Sequence, residues 1–131
     1  MFVFRLDPRS GVPPYLQLVH QIRHALLLGE LRQGDQVPLI REVVEQLAIN
    51  PNTVSKAYRQ LEQEGLVRSR PGIGTFVVGA PPEAVPPATY ASLRRGLQSW
   101  LREAHAAGLD DEAILALLAT TNRDLAQEGV A

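Results

Sequence analysis

The chain has 131 residues, 45% of them hydrophobic, enough for one ordinary domain, or a small domain with an appendage, to enclose a core. It has no cysteine, which excludes a disulfide framework or a thiolate metal site, and no basic-then-apolar leader or long apolar run, so a globular, cytoplasmic protein is expected. A formal net charge of −1 argues against a molecule that coats nucleic acid by bulk electrostatics, but the charge is uneven: up to Gly79 nine basic residues stand against seven acids, and beyond it four stand against seven. Twelve of the thirteen basic residues are Arg, the side chain suited to bidentate contacts with phosphate and guanine, which points to an anionic partner for the first part of the chain.

Pro14 to Leu28 repeats apolar residues at helical spacing (Tyr15, Leu18, Val19, Ile22, Ala25, Leu26), and Gly29 follows where a helix end favours positive φ. A turn through Gly34 and Asp35 leads to Pro38. Leu39 to Leu47 then reads as a short second helix with Ile40, Val43, Val44 and Leu47 inward. Only Ala48, Ile49 and Asn50 separate it from a third helix, which starts at the cap Asn50 and at Pro51 and ends at Gly65. Two helices joined by so short a turn match a helix-turn-helix, whose second helix enters the major groove. Capping explains Asn50 and Pro51, but it does not explain Asn52, Thr53, Ser55 and Lys56. They leave the start of the helix polar, while Val54, Ala57, Tyr58 and Leu61 form its apolar stripe.

After Gly65 the period changes. Leu66 to Arg70 and Thr75 to Val78 are short β-prone runs around Pro71-Gly72-Ile73-Gly74, the composition of a hairpin tip. Three helices and a hairpin describe a winged helix-turn-helix over residues 1–78; the alternative is an unrelated small α+β domain whose hairpin merely covers the core. The Pro-rich run GAPPEAVPP from Gly79 reads as a stiff linker over 79–88. Residues 89–131 carry two further apolar stripes, Leu93, Leu97, Trp100, Leu101 and Ala104, then Ile114, Leu117, Leu118 and Leu125, with Gly108 between them and Asp110 as a cap. A two-helix hairpin buries too little to be stable alone, so a second copy of the chain is the expected partner. Packing back on the first domain and an effector pocket between the helices are the alternatives. The fold class is therefore mainly α with a small β-hairpin.

The stretch from Pro13 to Val77 resembles the DNA-binding domain of the GntR family of bacterial transcription regulators. The residues that carry the resemblance are Gly29-x-Leu31-x-x-Gly34-Asp35, Pro38-x-x-Arg41-Glu42, Asn52-Thr53-Val54 with Ala57-Tyr58, Leu61-Glu62 with Glu64-Gly65-Leu66, and Gly72-x-Gly74-Thr75-Phe76-Val77. The short helical tail is similar to that of the YtrA-like subfamily, whose members dimerise through a brief segment in place of a large effector domain. Leu39 stands where a small residue is usual, and Pro51 where the family often has a base-contacting Arg, so no contact is carried over to Pro51. The resemblance implies that Arg41, the first turn of the third helix and the hairpin tip approach DNA.

In that frame Arg41 can reach a phosphate or a guanine edge, unless it pairs with Glu42 or Glu45. Asn50 and Asn52 can read adenine, although Asn50 needs no DNA if it is only a cap. Thr53, Ser55 and Lys56 can bond phosphates or bases, and Arg59 a phosphate; Tyr58 can equally be core. Arg70, more than Arg68, serves the wing, and Gly72 and Gly74 allow close backbone approach or simply shape the turn. Enzymatic readings are weak: His20 and His24 lack a completing ligand, and Gly72-x-Gly74 precedes a strand instead of a helix, so no catalytic residue, cofactor or metal is expected. The expected function is a homodimeric DNA-binding repressor on a palindromic operator, with Leu93, Leu97, Trp100, Leu101, Ile114, Leu117 and Leu118 in the dimer contact. A winged-helix protein-interaction module, or a regulator with an unknown small-molecule effector, are the competing classes.

Overall fold

The computed structural model describes residues 2–81 and 85–129. Its elements run α1 (Pro14–Leu27), α2 (Ile40–Leu47), α3 (Pro51–Gln63), β1 (Val67–Arg70), β2 (Gly74–Val77), α4 (Pro87–Ala106) and α5 (Asp111–Gly129). The chain divides into two compact units, Met1–Tyr90 and Ala91–Ala131.

In the first unit α1 and α3 supply most of the core. Leu18, Val19 and Ile22 from one and Val54, Ala57 and Leu61 from the other are fully enclosed, with Val43 from α2. Glu42 sustains the start of α2 by accepting the Leu39 N–H at 2.9 Å. The Asn50 side chain caps α3 by accepting the Asn52 N–H at 2.8 Å, and Pro51 occupies the first helical position, where an N–H has no partner. α3 stops in a Schellman motif: the Leu66 N–H bonds the Leu61 carbonyl and the Gly65 N–H that of Glu62, with Gly65 at φ +78°. That stop turns the chain into the wing, as the sequence predicts. The turn between α2 and α3, by contrast, places Ala48 in the left-handed region at φ 53°, a conformation expected of glycine.

β1 and β2 pair antiparallel, Val67 opposite Val77 and Arg70 opposite Gly74. Their tip is a type II turn: Pro71 precedes Gly72 at φ +77°, and the Ile73 N–H bonds the Arg70 carbonyl at 3.0 Å. The sheet has a further partner that sequence periodicity does not announce. Residues 35–37 lie along the other edge of β2, with the Val37 N–H on the Thr75 carbonyl, the Val77 N–H on the Asp35 carbonyl and a bridge between Gln36 and Phe76. The run expected as a plain turn thus clamps the wing to the helices.

The N-terminal residues are a second addition. Phe4 is buried in the core, and Gln17 and Gln21, one turn apart on α1, bond the main chain at Asp7 and Arg5, standing in for a neighbouring strand. At the other end of the unit the Pro-rich segment is partly docked. The Val85 N–H bonds the Leu27 carbonyl at 2.9 Å, and Pro87 is the first residue of α4, a position that suits proline. The middle of the expected linker, 82–84, lies outside the described residues.

The second unit holds the rest of α4 and α5. The Asp110 carboxylate caps α5 by accepting the Ala113 N–H at 2.9 Å. Ala104 and Ile114 are the buried side chains among its described residues. Of the side chains expected to meet a partner, Leu93, Leu97, Leu117 and Leu118 are exposed, Trp100 and Leu101 are half-buried, and Ile114 is already enclosed by its own chain. Leu115, absent from the expected stripe, is 66% exposed.

Candidate nucleic-acid interface

The outward face of α3 follows directly from its inward one. Because Val54, Ala57, Tyr58 and Leu61 face the core, Asn52, Ser55, Lys56 and Arg59 fall on the opposite side, spaced three and four residues apart. Asn52, Lys56 and Arg59 are exposed; Thr53 and Ser55 are half-buried. The carboxamide of Asn52 is unused by the cap, which employs only its main-chain N–H. Asn50 has one side-chain oxygen committed to that cap, so the capping reading of this residue accounts for its position.

Two clefts flank this face. One, of about 370 Å³, lies between α3 and the wing and is lined by Asn52, Ser55, Arg59 and Glu62 together with Ser69 and Thr75. The other, about 400 Å³, lies between the start of α2 and the wing tip and brings together Arg41, Arg70, Gly72 and Gly74. Ile40, Ser69 and Thr75 border both, so the clefts adjoin. Glu62 is the acidic member of this surface. It accepts the Ser69 N–H at 3.1 Å and so fixes the base of the wing against α3.

Arg41 is exposed and, among the described residues, pairs with neither Glu42 nor Glu45. The Arg70 guanidinium lies 5.2 Å from the centre of the Phe76 ring, a cation–π contact that steadies it along the hairpin. Lys56 is held differently. Its Nζ lies 4.0 Å over the Tyr15 ring, so it belongs to the α1 side of the face and lines neither cleft. Tyr15 was legible in the sequence only as an apolar stripe position.

The two wing glycines differ in their surroundings. Gly72 supplies the positive φ of the turn and is open to solvent. Gly74, at φ +148°, is overlain by Gln36, whose side chain would collide with any Cβ there and whose Nε2 donates to the Ile73 carbonyl. The Gln36 amide is the movable end of a flexible side chain, so it is the positive φ that favours glycine at Gly74. The tip side chain is Ile73, an apolar group 62% exposed.

Tyr58 belongs to the core. Its hydroxyl donates to the Pro38 carbonyl at 2.6 Å, tying α3 to the segment before α2. Burial, and then the nearby Glu42 carboxylate, push the phenol above its usual pKa, so it stays a neutral donor. His20 and His24 stack with ring centres 6.3 Å apart, and among the described residues no group of three His, Asp or Glu converges on a metal site. No described helix is long and apolar enough to cross a membrane.

A short-turned helix pair, a polar outward stripe on the second helix and a clamped hairpin beside it define a winged helix-turn-helix. Residues 14–77 match the family described as bacterial regulatory proteins, gntR family. The HTH-type transcriptional repressor YtrA of Bacillus subtilis is 33% identical over 112 residues, which cover 86% of each chain. Among solved structures, YtrA from Sulfolobus acidocaldarius, a GntR-family transcription factor, superposes with a TM-score of 0.55 at 30% identity, covering 80% of this chain and 99% of that one. The AraR DNA-binding domain in complex with its operator ORX1 superposes at 0.51 and 29% identity, over 60% and 96%. The chain belongs to the gntR family and is a DNA-binding transcription regulator.

Proposed function

We propose that the chain acts in the cytoplasm as a homodimeric repressor, without catalytic activity of its own, and that its two recognition helices read the halves of an inverted-repeat operator. The observation that carries this reading is the outward stripe of α3, Asn52, Ser55, Lys56 and Arg59, whose cleft adjoins a second one that brings Arg41 of α2 and Arg70 of the wing together. Asn52 is the base reader, since a free carboxamide matches the acceptor and donor on the major-groove edge of adenine. Arg41, Lys56, Arg59 and Arg70 neutralise phosphates, Thr53 and Ser55 add hydroxyl contacts, and Gly72 lets the wing main chain approach the duplex. The exposed leucines of α4 and α5 support self-association. Two linked modules act at high effective concentration and require correctly spaced half-sites.

Selection of bound duplexes from a random pool tests this, followed by titration of the best duplex at two salt concentrations. An inverted repeat bound by one dimer is expected. Asn52→Ala should relax preference at one position per half-site, at a cost of about 1–3 kcal/mol there. Arg59→Ala should weaken all sequences alike and lower the salt slope by roughly one. Enrichment of no sequence, or enrichment indifferent to Asn52→Ala, would show that α3 is not the reading element.

A further inference from the structure

The elbow between α2 and α3 carries a feature that hydrogen-bonding readout leaves unused. Ile40 and Val44 stand one turn apart on α2, and the left-handed Ala48 swings the chain so that Pro51, at the start of α3, comes up beside them. Together they line an open depression of about 640 Å³, with Arg41 and Glu45 as its polar members. Pro51 is exposed, and Ile40 and Val44 are only half-buried, so core packing leaves apolar surface here facing solvent. Ile40 and Arg41 also border the wing-side cleft, which makes the depression continuous with the proposed DNA-binding face.

Pro51 has no N–H and no polar side-chain atom, so at the base-facing end of a recognition helix it can make only apolar contact. In the major groove one base edge offers an apolar group, the 5-methyl of thymine. Arg41 and Glu45, the polar members of the depression, lie four residues apart on α2, and the Glu45 carboxylate disfavours a phosphate over the apolar lining.

We infer that the depression formed by Ile40, Val44 and Pro51 receives a thymine 5-methyl group, so that the elbow selects T at a defined place in each half-site. This rests on the operator-reading function and adds a specificity determinant that makes no hydrogen bond.

Deoxyuridine provides the probe, because it lacks only the methyl group and keeps every hydrogen-bonding atom of thymine. In the selected operator each thymine is replaced singly, and binding by the full-length protein is followed by fluorescence anisotropy. One or two positions per half-site should lose affinity about threefold to tenfold, as expected for a methyl group returned to water. In Pro51→Ala, whose fold is checked by its melting curve, the same replacement should change affinity by less than about twofold, since coupled sites lose their interaction together. Tolerance of deoxyuridine at every position by the wild type, an operator whose half-sites lack thymine, or an undiminished penalty in Pro51→Ala would each overturn the inference and leave the operator reading standing. The wild-type scan decides the matter by itself should Pro51→Ala fail to fold. Selection that enriches no sequence would overturn both.

Discussion

The two units dispose of similar aliphatic side chains in opposite ways. Before Ala91, Leu18, Ile22 and Leu61 are fully enclosed; after it, Leu93, Leu115 and Leu125 are all more than half exposed. The difference follows from the number of faces each unit can bring together. Three helices, a clamped hairpin and an N-terminal strap can surround a common centre, whereas two helices can cover only one side of one another. A unit with an enclosed core is therefore joined to a segment that leaves apolar side chains exposed.

The comparison breaks most readily in the enclosed half. Leu61→Ala removes a fully buried α3 side chain from the core, and should cost about 2–5 kcal/mol of unfolding free energy in urea titration. A cost below about 1 kcal/mol would mean the first unit has no tightly packed centre. In the open half the effect should move from folding to association. Leu97→Glu with Leu118→Glu is expected to raise the dimer dissociation constant at least about 100-fold in analytical ultracentrifugation, while the helical signal changes little. Dimers of unchanged strength would place the self-association surface elsewhere. The pair also separates dimerisation from readout: a monomer should keep its dependence on Asn52 and lose affinity through lost effective concentration.

Legibility follows the same division. The helices, the cap at Asn50 and the polar stripe of α3 could be read from sequence, because each rests on local spacing or on the chemistry of one residue. The strand-like run 35–37 could not, since one residue of bridging at Gln36 leaves no alternation to detect, and its partner Phe76 is forty residues away. Phe4 was equally silent. A single buried aromatic in an extended segment has no period, and the strap is held by the side chains Gln17 and Gln21 instead of by a ladder. Among the candidate site residues, Lys56 and Gly74 are named from the sequence without the residues that they meet. Tyr15 and Gln36 lie far off in the chain and meet them only through the tertiary fold.

The smallest predicted effect concerns the elbow itself. Ala48 is the sole positive-φ residue other than glycine among those described, and a Cβ in the left-handed region crowds the following carbonyl. Its N–H still bonds the Val44 carbonyl at 2.9 Å, so the helix end is intact and the strain is confined to one residue. Ala48→Gly relieves that crowding but gives the unfolded chain more freedom, and the two effects oppose each other. Relief should prevail, because the native conformation is one that glycine adopts without cost. A gain of about 0.5–1 kcal/mol in urea unfolding is expected, with the dimer dissociation constant unchanged. The variant thus tunes the enclosed unit alone. A loss of stability, or a change in association that tracks this residue, would show that the turn is not locally strained or that the two halves of the chain are coupled.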